Sequence, residues 1–192
     1  MKDNYLNYYR YLKTTSILGK IYRKFFLYPL LSRFVKGNFI DVGCGLGDFL
    51  FFGSKGSLGL DINKFNVDHC RSRGLHAELI KDGKFPVDDD SFSTINLDQV
   101  LEHIIEPDIL LKEINRCLNI GGRLIIGVPC ESGYKRDPDH KMFYNLEKIK
   151  KVLSKYNFSI LVTFYTPLPL KFFGKILPQQ SLYVISKLEK KM

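Results

Sequence analysis

Phe39 to Leu50 reads FIDVGCGLGDFL. A short apolar run closes on Asp41 and Val42, and Gly43, Gly45 and Gly47 follow at once. Glycine costs conformational entropy, so such a cluster marks a turn that needs positive φ or close backbone approach. The plain reading is a tight strand-to-helix turn. The sharper one is a loop whose backbone N–H groups, backed by a helix N-terminus, face a ligand.

Outward from this stretch the pattern alternates. Apolar runs at 38–42, 57–62, 76–80, 93–98, 122–128, 158–165 and 181–187 predict strands. Helical spacing falls between them at 46–53, 63–73, 106–118 and 145–156. The helix at 106–118 is the clearest: Pro107 suits its first turn, Ile109, Leu110, Ile114, Cys117 and Leu118 make its apolar face, and Gly121–Gly122 is expected to end it. Residues 4–36 read as helical with a break at Pro29. Short apolar strands alternating with helices indicate an α/β fold, a parallel sheet covered on both faces. We expect an N-terminal helical cap over 1–37 and the main domain over 38–192.

The chain of 192 residues suffices for one such domain. Its N-terminus lacks the apolar core of a secretory signal, and no apolar run has the length of a membrane span. Cys44, Cys70, Cys117 and Cys130 show no C-x-x-C pair, so they read as free thiols in a reducing cytoplasm. No metal site is expected. The net charge of +9 is uneven: residues 1–37 carry +7, residues 171–192 carry +4, and the middle carries −2. Basic ends suit an anionic partner or a solvated face.

In a doubly wound sheet, ligands sit beyond the carboxyl ends of the strands. The glycines lie at such an end. The second strand closes on Asp61, 20 positions after Asp41, where a carboxylate can accept both hydroxyls of a ribose. The dinucleotide fingerprint G-x-G-x-x-G is not met, since its third glycine position holds Asp48. A carboxylate there repels a pyrophosphate. A cofactor with a sulfonium, an ammonium and no phosphate suits this acidic setting: S-adenosylmethionine.

Four segments in order, FIDVGCGLGDFL, LGLDI, DGKFPVDDDSFSTINLDQVLEHIIEP and LNIGGRLIIGVP, resemble the class I S-adenosylmethionine-dependent methyltransferases, particularly the broad branch acting on small molecules. The resemblance spans about residues 38 to 165. It implies a Rossmann-like doubly wound, mostly parallel sheet with an antiparallel last strand, plus N-terminal helices. It also implies roles. Gly43, Cys44, Gly45 and Gly47 would lie along the methionine portion of the cofactor, with Asp41 orienting that end. Asp61 would hold the ribose, Ile62 would pack on adenine, and Asp82 with the Gly83 N–H would meet the adenine edge. Asp98 and Gln99 would stand beside the amino-acid end. Two departures are notable: the span from Gly47 to Asp61 leaves room only for a cramped helix, and Ser93 and Ile120 replace an acid and a proline common in the family.

Acceptor chemistry points to ESGYKRDPDHKMFY, after the fifth strand. Asp137 and His140 are close enough in sequence for the carboxylate to orient the imidazole, and such a pair can take a proton from a hydroxyl. His103 and His76 read as structural. Three functions stay open: methyl transfer to a small-molecule, glycan or lipid-linked acceptor, at oxygen; methylation of RNA, disfavoured by the absence of an N/D-P-P-[YF] motif after the fourth strand; and cofactor binding without catalysis. The basic and aromatic N-terminal stretch is expected to cap the cleft and to suit an anionic membrane surface. Oligomeric state is left open.

Overall fold

The computed structural model describes residues 2–14, 16–54, 56–177 and 179–192. Met1 and Thr15 of the expected cap, Lys55 and Pro178 lie outside the described residues. The strands are β1 (Phe39–Val42), β2 (Leu58–Asp61), β3 (Ala77–Leu79), β4 (Phe92–Asp98), β5 (Leu118–Pro129), β6 (Phe158–Thr166) and β7 (Ser181–Leu188). The helices are α1 (Lys2–Lys13), α2 (Ile17–Tyr22), α3 (Tyr28–Ser32), α4 (Lys64–Ser72), α5 (Asp108–Cys117), α6 (Glu131–Tyr134) and α7 (Leu146–Lys155).

The strands form one sheet in the order β3-β2-β1-β4-β5-β7-β6. β1 through β5 run parallel, and β7 lies antiparallel between β5 and β6. The antiparallel last strand is thus present, and the chain's direction reverses its strand order at β1 and β4. Every residue of β1 and β2 is buried, as expected when helices cover both faces. On one face Ile40, Leu60, Ile95 and Leu124 pack with Leu111 and Ile114 of α5 and Ile149 and Leu153 of α7. On the other, Phe39, Ile125 and Ile185 pack with Val67 and Cys70 of α4 and with Leu27 and Leu31 of the N-terminal segment.

Three expectations are corrected. The helix expected over 46–53 is only a 3₁₀ turn, Phe49–Phe52. The N-terminal segment takes its place: Tyr28 meets Phe49 and Phe52, with ring centroids at 5.3 and 5.7 Å. Pro29 does not break the N-terminal helix. It lies in the first turn of α3, where a missing N–H costs no helical bond, after a π turn over Arg23–Leu27. α1 ends instead at Lys13, and the Ser16 hydroxyl caps α2 by accepting Gly19 N–H. Finally, α5 stops at Cys117, and Gly121–Gly122 lie inside β5. Gly121 has φ +79°, and a Cβ on Gly122 would fall 2.7 Å from Asn119 O, so the pair makes the bend with which β5 regains register on β4.

Candidate active site

The site is built at the carboxyl ends of β1, β2, β4 and β5. After β1 the chain turns through Gly43, Gly45 and Gly47, with φ of +70°, +54° and +78°. A side chain at Gly43 would run into Val100 Cγ2, and one at Gly47 would meet Cys70 Sγ at 2.8 Å. These glycines therefore answer both to backbone conformation and to space. Gly43 and Cys44 N–H both donate to Leu60 O on β2. Cys44 is buried, and its thiol is held far above its usual range by a hydrogen bond with Cys70 and by burial. It serves packing there, as a thiol and not a thiolate.

Asp61 is the hub of the loop. Its Oδ2 accepts from Gly45 N and Asn66 Nδ2, each at 3.0 Å, and its Oδ1 from Asn63 N at 2.8 Å. The Ile62 backbone contributes a further bond. A carboxylate offers about four acceptor sites, so a sugar hydroxyl at Asp61 competes with protein donors already in place. Asp41 lies opposite Asn96 in the β1–β4 register and accepts its Nδ2 at 2.7 Å. Asp98, at the end of β4, accepts Tyr183 OH at 2.9 Å. Gln99 follows with φ +56° and reaches Ser181 Oγ at 3.3 Å. Ile62 and Asp82 are exposed at the rim, and Gly83 turns beside Ile109.

Burial drives the carboxyls of Asp41, Asp61 and Asp98 above their ordinary range. Asp41 is pushed up to about 7, with the charges of Asp98 and Asp61 adding to the effect. Among the described residues none of the three is in an ion pair, although Arg23 lies within electrostatic reach of Asp98. A cationic ligand relieves such a trio and a pyrophosphate aggravates it. Asp48, expected to supply that repulsion, is instead paired with Arg73 at 3.0 Å. The acidity that fits a sulfonium and an ammonium thus comes from the three strand-end acids.

α1 crosses this loop. Tyr5 O accepts Asn63 Nδ2 at 2.8 Å, and Leu12 Cδ1 lies 3.5 Å from where a Cβ on Gly45 would stand. The Tyr8 hydroxyl is pushed up to about 12, by burial first and then by the charges of Asp61 and Asp137.

The segment that follows β5 holds the expected catalytic pair. His140 Nδ1 donates to Tyr134 O at 2.9 Å, and Tyr134 stacks on the imidazole at 5.5 Å. The ring is oriented by this carbonyl, not by Asp137. Asp137 Oδ2 stands on the other side, 3.8 Å from Nε2. The structure adds Glu102, which the sequence reading passed over. It is 1% exposed, and one of its carboxylate oxygens lies 3.9 Å from His140 Nε2. Its backbone carbonyl takes the N–H groups of Lys141 and Met142, which ties the post-β5 segment to the turn after β4. The available signal was the pair Glu102–His103, charged and adjacent in an otherwise apolar stretch.

A glycine loop after the first strand, an acid closing the second and a pocket of uncompensated carboxylates define an α/β protein of the class I methyltransferase type. Comparison with known proteins agrees. A family model described as a methyltransferase domain matches residues 40–126. An uncharacterised protein of Methanocaldococcus jannaschii is 32% identical over 94 residues, which cover 48% of this chain and 45% of that protein. The chain spans less than half the length of that relative. An S-adenosylmethionine-dependent methyltransferase from Archaeoglobus fulgidus superposes with a TM-score of 0.67 at 18% identity, covering 90% of this chain and all of the other. The methyltransferase complexed with the Trm112 activator of Haloferax volcanii superposes at 0.70 and 15% identity, covering 89% and 93%. These structural likenesses establish the fold. Residues 40–126 thus resemble a methyltransferase domain in sequence, and the chain shares the Rossmann-like fold of S-adenosylmethionine-dependent methyltransferases.

Proposed function

We propose that the chain transfers a methyl group from S-adenosylmethionine to an oxygen of a small-molecule, glycan or lipid-linked acceptor. The observation that carries the reading is the trio Asp41, Asp61 and Asp98, the first two buried and the third half-buried at the strand ends, with no ion-paired cation among the described residues. When bound, the cofactor supplies an activated methyl group on a sulfonium. The chain's own work is binding, alignment and proton handling. Gly43 and Gly45 let backbone approach the ligand, Asp61 meets its ribose, and Asp98 and Asp41 balance its charge. Ile62, Asp82 and Gly83 form the adenine side. Alignment of acceptor and methyl is worth about 7–11 kcal/mol of effective molarity. His140 and Asp137 accept the acceptor's proton, and His140 Nε2 is free for this because Nδ1 is held by Tyr134 O.

A specific surface favours an acceptor presented by an anionic lipid. Ile17, Leu18, Phe25 and Phe26 are exposed beside Lys20 and Lys24, and Phe172 and Ile176 beside Lys171 and Lys175. Tyr22 lies beside Thr166, which closes β6 five residues before Lys171. Apolar groups flanked by lysines suit the headgroup region of an anionic bilayer. Among the described residues no helix is long and apolar enough to cross a membrane.

The experiment is transfer of labelled methyl from S-adenosylmethionine to metabolite, glycan and lipid fractions, with and without vesicles of anionic lipid. Label should enter an alkali-stable ether or an ester, and faster where the acceptor sits on anionic vesicles. His140→Ala should lower turnover by about 10²–10⁴-fold with little change in cofactor affinity. Label in no fraction but RNA would overturn the acceptor class, and equal rates with and without vesicles would remove the lipid surface.

A further inference from the structure

Glu102 poses a problem that methyl transfer does not solve. Its side chain is 1% exposed, and neither carboxylate oxygen has a hydrogen-bond partner. A buried carboxylate without partners is costly and is retained where something binds it. Two imidazoles face it. His103 packs edge-on to His140, with ring centroids at 4.9 Å. One ligating atom each from Glu102, His103 and His140 can be chosen so that all lie within 4.8 Å of one another.

The tautomers are set by what lies behind the rings. His140 Nδ1 meets Tyr134 O at 2.9 Å, and His103 Nδ1 meets Asp139 O at 3.2 Å. A carbonyl only accepts, so each Nδ1 carries the proton and each Nε2 keeps its lone pair. Histidines that hold metals are oriented in this way, with the second nitrogen donating to a backbone carbonyl. From these contacts we propose that Glu102, His103 and His140 bind one divalent transition-metal ion, of the zinc or cobalt type, at the mouth of the cleft.

Two imidazoles and a carboxylate select such an ion over magnesium or calcium, which take oxygen ligands. Ligands at about 2.0–2.2 Å from a shared ion lie roughly 3.4 Å apart in a tetrahedron. The three atoms, within 4.8 Å of one another, therefore close in pairwise by at most about 1.4 Å, within the reach of side-chain rotation. Three protein ligands leave a position open, as in catalytic rather than structural sites. Asp137 Oδ2, 3.8 Å from His140 Nε2, stands beside that position. If the protein is the oxygen methyltransferase proposed above, the ion takes the Nε2 lone pair that His140 otherwise offers to the acceptor's proton, and an acceptor hydroxyl at the open position would then pass its proton, near neutral pH, to Asp137 alone. Cation binding itself needs no methyl transfer. Motif spacing gave no hint of the site because its ligands are two neighbours and a histidine 37 positions later.

The test uses the full chain, stripped with a chelator and titrated with Co²⁺ while its visible absorption is followed. One Co²⁺ per chain should bind, displaced by Zn²⁺ and not by excess Mg²⁺. Glu102→Gln and His103→Gln should each weaken binding by more than about 10-fold while the far-ultraviolet circular dichroism stays that of the parent. His103 is part-exposed, so that variant folds even if the buried one does not. Absence of Co²⁺ binding, binding that both variants leave intact, or intense thiolate charge-transfer bands placing the ion on cysteine would each overturn the proposal. Transfer activity that fails with every metal while Co²⁺ still binds would sink the methyl-transfer reading and leave the site standing.

Discussion

Asp41 and Asn96 occupy paired positions in adjoining strands, and their contact shows how a strand can be both core and site. Asp41 is 5% exposed, and burial raises its carboxyl from an ordinary 3.8 to about 7. The unfolded chain releases this proton near the lower value and the folded chain near the higher one. Between them the folded state binds more protons, so the stability present at low pH is lost as pH rises towards 7. Asp61 and Asp98 are shifted in the same direction by burial and add to that loss. Urea midpoints of the ligand-free protein should therefore fall between pH 5 and pH 8. Asp41→Asn should recover part of that fall, up to about 2.7 kcal/mol for the two pH units between 5 and 7. A variant whose midpoints track the parent's at both pH values would show that Asp41 does not carry the effect. The sequence made Asp41, Asp61 and the glycines legible because each holds a strand-end position with a fixed chemical demand. It did not reveal Glu102, because burial without a partner is a property of packing.

At the scale of elements, the segment Arg23–Ser32, a π turn and α3, and the 3₁₀ turn at Phe49–Phe52 are two sides of one adjustment. The short link from Gly47 to β2 cannot hold a full helix, and the freed sheet face is covered by Leu27, Leu31 and Tyr28 from the N-terminal segment. Each predicted strand has an observed counterpart, with β5 starting four residues before its expected run, because β-rich apolar runs of five to eight residues leave little choice of structure in a sheet covered on both faces. The stretch 46–53 was misread because its apolar residues suit helix and turn alike, and the outcome depended on a distant segment. α1 also lies over the glycine loop through Leu12 and through the Tyr5–Asn63 bond. Deleting residues 1–15 should leave cooperative unfolding intact, since the sheet and α4 to α7 keep their cores. It should accelerate release of S-adenosylhomocysteine by about 10-fold or more, the scale of one or two lost contacts. Stopped-flow displacement measures that rate, and an unchanged rate would make α1 mere packing.

Seen as a whole molecule, charge and cleft divide the labour. The two termini carry +7 and +4, whereas the residues between them sum to −2 and include the acidic trio. The termini suit an anionic surface and the centre a cationic ligand. The alternation of strands and helices was legible across the chain, and so was the cofactor class. The cluster of Glu102, His103 and His140 was less so, because its residues come from the turn after β4 and the segment after β5 and meet only in the fold. The central claim is that the glycine loop and the three acids hold S-adenosylmethionine. Titration calorimetry of the purified chain with S-adenosylhomocysteine, alongside NAD, tests it most directly. We predict one S-adenosylhomocysteine per chain and no heat with NAD, with Asp61→Ala weakening the binding by about 1.5–3 kcal/mol. Tight binding of NAD with none of S-adenosylhomocysteine would contradict the account.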